Sequence, residues 1–187
     1  MALPQEPLFV TIDYLKKLTP VNGAVDENLI KPCLYVAQDR WVRPFIGDAL
    51  WAKLITELPT PSGNYATLIE QYMAKPVVFW TLVELMPKMM YKYNDGTMGQ
   101  HNSEDYTPIS DSAMKDELER AKKHALDYSQ RLVDYLCTNS SVFPQYGTET
   151  GGQRCPITTV YNRSTFMFTT TQDARGRRPI VNINRLP

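Results

Sequence analysis

"VVFWTLVELMPKMMYKY", residues 77–93, is apolar on almost every side. A surface helix carries one apolar stripe, whereas a helix apolar all round belongs at the centre of a packed structure. The segment predicts a central buried helix, and with it a helical bundle. Pro87 and the cluster Met86, Met89 and Met90 predict that this helix bends and packs adaptably. No run in the chain approaches the ~18 apolar residues of a membrane span.

Outward from that segment, the surrounding helices can be placed by their caps. Thr11 caps a short helix over Ile12–Leu18, closed by Thr19-Pro20. Asp26 opens a longer one, with Leu29 or Ile30, Cys33 or Leu34, Ala37 and Trp41 at helical spacing. Pro32 in its second turn predicts a kink or an irregular start, and the helix is expected to stop near Pro44. Gly47-Asp48 makes a turn and cap for a helix over 49–58. After the loop 59–63, Asn64 caps a helix through Met73, and Pro76 marks a new helix or a kinked continuation. Ser110 or Asp111 caps the last helix, to about Cys137, with Met114, Leu118, Ala121, Ala125, Tyr128, Leu132 and Tyr135 or Leu136 in one stripe.

Two segments fall outside this pattern. Residues 94–109 form a long polar loop. Past Cys137 no helical period survives, and 157–161, 165–170 and 180–183 have the β-branched and aromatic composition of short strands. The fold expected is mainly α, a four- to five-helix bundle over 1–137, followed by an extended C-terminal arm over 138–187 containing short β-strands.

The charge is as uneven as the structure. The net charge is zero. Residues 151–187 nevertheless hold six arginines against Asp173 alone, +5, which leaves 14 basic and 19 acidic residues, −5, in the first 150. Arginine without lysine suits planar pairing with carboxylates or phosphates and stacking on rings. Two uses fit the arm. It adds to a neighbouring subunit through Arg154, Arg163, Arg175, Arg177 and Arg178, with Tyr161, Phe166 and Phe168 as anchors, or it binds nucleic acid through the same residues. The acidic body and the absence of a nucleic-acid signature favour the neighbour.

Catalytic and metal-binding patterns are sparse. Nucleophile-elbow, phosphate-loop, zinc-protease and dinucleotide motifs are absent from the sequence. His124 sits among charges on the last helix and reads as solvated. His101 with Glu104 and Asp105 offers the start of a metal site or of a hydrolase loop, but no second histidine joins it. Cys33, Cys137 and Cys155 form no framework, and Cys33 reads as core filler. Glu119–Lys123 is expected as an ion pair on a solvated face. We expect no catalytic residue, no metal and no cofactor. Met1-Ala2-Leu3-Pro4-Gln5 lacks a basic start and an apolar signal core, so no export by its own signal is expected.

The segment "AQDRWVRPFIGDALWAKL", residues 37–54, reads as a corner between two helices. Phe45 and Ile46 plug it, and Trp41 and Trp51 cover the helices it joins. Arg40 and Arg43 either compensate the helix end and pair locally, or contact an adjacent subunit.

"VTIDYLKKLTPV" (10–21) followed by "DENLIKPCLYVAQDRWVRPFIGDALWAKLI" (26–55) resembles the N-terminal half of head–tail connector proteins of tailed bacteriophages, and more narrowly the neck ring proteins of crAss-like phages. The shared pattern is a short first helix, a long helix bearing Ala37-Gln38, an aromatic and basic turn, and Pro-Phe-Ile-Gly at 44–47 before the next helix. It covers roughly residues 9–58. The resemblance implies a non-enzymatic virion protein of the neck, without a cofactor and without a membrane. Its subunits close into a ring, typically twelvefold, that docks on the portal protein and receives the next neck or tail protein. Genomic DNA passes through the channel without specific binding. Ring closure needs two different complementary surfaces on each subunit.

Overall fold

Local chemistry starts the helices. In the computed structural model, which describes residues 7–21, 25–94, 97–100, 110–147, 155–158 and 160, Thr11 Oγ1 accepts from the Tyr14 N–H at 3.3 Å and opens α1, Ile12–Leu18. Asp26 Oδ1 accepts from the Asn28 N–H at 2.9 Å and opens α2, Glu27–Val36. Ser110 Oγ accepts from the Ala113 N–H at 3.3 Å and opens α7, Asp111–Thr138. Each satisfies an N–H that the first helical turn leaves without a partner.

Among the described residues the chain forms five helical rods. α1 is the first. The second is α2, a π-helical turn at Ala37–Val42 and α3, Arg43–Ile46. The third is α4, Asp48–Glu57. The fourth is α5, Gly63–Thr67, a second π turn at Leu68–Met73 and α6, Ala74–Met90. α7 is the fifth. α6 packs most extensively on α7 and on α2 with its π turn, so the apolar segment at 77–90 lies in the centre. Val77, Val78, Trp80, Leu82, Val83, Leu85 and Met86 are all buried.

The two π turns explain where proline reasoning alone misplaces the breaks. Within a helix a proline ring collides with the carbonyl four residues back and cannot donate to it. For Pro44 and Pro76 those carbonyls belong to Arg40 and Tyr72, and both lie inside a π turn. There the bonds reach five residues back: the Arg43 N–H donates to Gln38 O, and the Ala74 N–H to Ile69 O. The wider turn makes room for each ring, and the rod continues. The second rod therefore ends at Gly47, not Pro44. Gly47 has φ 80° and ψ 156°, a conformation open essentially to glycine alone, and it also begins α4. Pro32 does not interrupt α2. The fourth rod starts after Ser62 rather than with Asn64 as its cap.

Other departures from the sequence expectation are equally local. Tyr91–Asn94 (β1) and Thr97–Gln100 (β2) pair antiparallel, Tyr91 opposite Gln100, where the end of the central helix and a loop were expected. On α7, Glu119 pairs with Lys122 at 3.9 Å and Glu117 with Arg120 at 3.1 Å, so the spacing used is i,i+3. The packed body also runs past Cys137. Phe143 is completely buried in the same core as Leu132 and Leu136. Of the expected arm strands, 157–161 is irregular where it is described, and the other two lie outside the described residues.

Buried side-chain polar atoms are all satisfied among the described residues. Gln38 is fully buried; its Nε2 donates to Pro7 O at 3.1 Å and its Oε1 accepts from the Phe9 N–H at 3.4 Å. A single amide thus ties the segment before α1 to the first π turn. Two protonated groups contribute to stability with a definite pH dependence. Burial pushes the Cys33 thiol above its ordinary 9.0, with Lys88 working the other way. Burial, then the contact with Cys137, pushes the Tyr146 phenol above 10.0. The folded chain keeps protons that the unfolded chain sheds, so this stability is present below 9.0 and is lost as pH rises beyond it. The urea midpoint is expected to drop between about pH 8 and about pH 10.5. An unchanged midpoint would count against the burial of both groups.

Candidate functional site

The corner at 37–54 is held by rings and by one guanidinium. Trp41 lies flat on Trp80, centroids 4.2 Å apart and planes 1° from parallel. Its Nε1 donates to Glu84 Oε1 at 2.8 Å, while Trp80 Nε1 donates to Ser129 Oγ at 3.0 Å, which in turn donates to Ala125 O. The corner is thereby pinned to α6, and α6 to α7. Phe45 and Ile46 are buried in it, as expected, and Trp51 packs edge-on against Phe9 at 4.9 Å.

Arg43 spans the break. Its Nη1 donates to Asp39 at 2.7 Å and its Nε to Asp48 at 2.8 Å, with the guanidinium 5.8 Å from the Trp51 ring. The Asp39 and Asp48 bonds raise its pKa further and fix its charge in place. Of its two expected roles, local pairing is the one the geometry displays. Arg40 differs. It is exposed, stands 5.2 Å from the Trp41 ring, and has no carboxylate partner among the described residues. The Ile157 N–H donates to Pro44 O at 2.8 Å, so the C-terminal chain returns to the same corner. Ile157 itself is 49% exposed there. Arg154, Tyr161, Arg163, Phe166, Phe168, Arg175, Arg177 and Arg178 lie outside the described residues, as do His101, Glu104 and Asp105.

A second feature flanks the second π turn. On one side Lys75 and Arg131 stand 5.5 and 5.2 Å from the Tyr128 ring and, with Glu70, Gln71 and Tyr72, line a cleft of about 440 Å³. On the other, the residues before α1 and the π turn enclose an apolar groove of about 200 Å³. Glu70 borders both. Sequence reasoning placed Tyr128 in the apolar stripe of α7 and did not single out Glu70, Gln71, Tyr72, Lys75 or Arg131. Only the Tyr128–Arg131 spacing on α7 is visible in one dimension; Lys75 and Glu70 arrive from another rod. No cluster of three or more metal-binding side chains occurs among the described residues, and no helix among them is long and apolar enough to cross a membrane.

A family model described as a family of unknown function, DUF6712, matches residues 42–156. The chain belongs to DUF6712. The span matched to DUF6712 begins at the end of the first π turn, takes in α3 to α7 and the buried turn at Phe143, and stops beside Ile157, where the chain meets Pro44. It leaves out α1, α2, most of the first π turn and everything after 156, so it shares with the connector-like stretch only residues 42–58, the latter part of the corner and α4. Searches of curated proteins and of solved structures return no match.

Proposed function

We propose that this DUF6712 chain is a head–tail connector subunit of a tailed-bacteriophage virion. It closes into a ring, twelvefold by resemblance, that docks on the portal protein, carries the next neck or tail protein and continues the DNA channel. It acts in the neck of the particle as a non-enzymatic structural protein and binds the passing DNA without specificity. The observation that carries this reading is the separation of charge. A helical body rich in carboxylates is followed by a segment that, after residue 160, holds five arginines against one aspartate. Those are the two unlike, complementary surfaces that head-to-tail ring closure requires.

The corner adds support. The residues that carry the connector resemblance are the ones that build it: Gln38 pins the entry segment, and Phe45, Ile46 and Gly47 make the bend. The C-terminal chain meets that bend at Pro44, beside the exposed Arg40.

The test compares the full chain with one ending at residue 160, which keeps the Ile157 bond. Circular dichroism is expected to give equal helix content. Sedimentation with the portal protein is expected to give a ring for the full chain and an unbound subunit for the shorter one. A shortened chain that assembles normally removes the role of the arm. Tight DNA binding that collapses with rising salt, without a ring, would assign the arginines to nucleic acid instead.

A further inference from the structure

We propose that the apolar groove beside the second π turn is the seat for the segment 161–168 of a second copy of this chain, an inference that rests on the connector reading. It is lined by Phe9, Val10, Ile69 and Ala74, all buried, together with half-buried Tyr14 and the exposed Thr11 and Glu70. At about 200 Å³ it is smaller than the ~300 Å³ at which small-molecule pockets begin, and its size suits one large side chain. Anchor pockets of this kind dominate protein interfaces.

The segment "YNRSTFMF", 161–168, has the matching chemistry. Phe166 and Phe168 are two residues apart, so an extended backbone turns both to one side, where either can enter an apolar slot. Arg163 precedes them and suits a carboxylate at the mouth. Glu70 supplies it and has no ion pair among the described residues.

The far side of Glu70 sets the direction. There Lys75 and Arg131 share the Tyr128 ring, and their charges repel an arginine-bearing segment from the larger cleft. The apolar side is left as the favourable approach. The occupant is a second copy because head-to-tail closure places the two complementary surfaces on different subunits.

The experiment uses the full chain with Phe166 replaced by the photo-cross-linker p-benzoylphenylalanine, mixed with isotope-labelled wild-type chain and the portal protein. Light-to-heavy cross-links into 9–14 or 69–74 are expected. Glu70→Arg in the labelled chain is expected to lower their yield about fivefold, and Arg163→Glu in the other chain to restore it. Glu70 is exposed, so its reversal leaves the core intact. Cross-links only within one chain, cross-links elsewhere, or yields indifferent to Glu70→Arg in a ring that still forms overturn the seat and leave the connector reading standing. Failure of the wild-type chain to form a ring on the portal overturns that reading, and the seat with it.

Discussion

Trp80→Ala is expected to destabilise the fold by about 3–5 kcal/mol, the usual cost of deleting a large buried aromatic side chain. Trp80 is 3% exposed, and three connections converge on it. Its ring is the face against which Trp41 lies at 4.2 Å, its Nε1 reaches Ser129 across to α7, and it belongs to the central helix. Alanine removes the ring on which Trp41 stacks and leaves Trp41 held to α6 by its Glu84 bond. Trp80→Phe separates the contributions: it keeps much of the stacking surface and loses the Ser129 bond, for a further cost of about 1 kcal/mol. Urea unfolding with an unchanged slope is the measurement. Total stabilities of such domains are ~5–15 kcal/mol, so the alanine variant should lose about a fifth or more of its margin. A loss below about 1 kcal/mol would mean that the Trp41–Trp80 stack does not anchor the corner.

Most of this fold is written in local signals. Thr11, Asp26 and Ser110 are short polar residues placed before helical periods, and a cap needs nothing beyond the next three residues. The central helix was legible because its apolar residues surround it, and the corner because Gly47 and four large rings or chains fall within a few turns. What was not legible depends on partners distant in sequence. Gln38 looks like a surface residue until Pro7 and Phe9, about thirty residues earlier, take its amide. Arg43 reads as a helix-end charge because Asp48 lies beyond the break it closes across. Pro44 and Pro76 were visible, but the response of the backbone, a π turn rather than a stop, depends on how much the flanking helices gain by staying docked. The pairing of 91–94 with 97–100 was hidden inside a polar run that offered only an Asp-Gly pair as a sequence signal. For the candidate site the balance tips the other way. Arg40 is visible in the sequence as a charge next to Trp41, but Glu70, Lys75 and Arg131 meet only because two rods pack side by side.

Phe143→Ala sets the composition-based boundary of the body against the packed one. The run "TNSSVFPQYG", 138–147, has no period and reads as the start of an arm, where a substitution should change stability by less than about 0.5 kcal/mol. In the fold, Phe143 has no exposed surface at all. Tyr65 meets its ring edge-on at 5.6 Å, Tyr135 stands at 6.0 Å, and Tyr65 Oη donates to Gln145 Oε1 at 3.1 Å just beyond it. The turn after α7 therefore closes the body by plugging the gap between the fourth rod and the end of the fifth. Deleting the ring is expected to cost about 3–5 kcal/mol and to loosen the last turn of α7. Val142→Ala, at an adjacent side chain that is 38% exposed, is expected to cost under about 1 kcal/mol and serves as the control. Urea unfolding of the two variants, read with hydrogen exchange at 132–138, decides the matter. If Phe143→Ala is as mild as Val142→Ala, the body ends at Cys137 and the basic segment hangs from α7. If it is as costly as expected, the arm begins beyond the turn, and the chain is delivered to the Pro44 corner by a fixed part of the core.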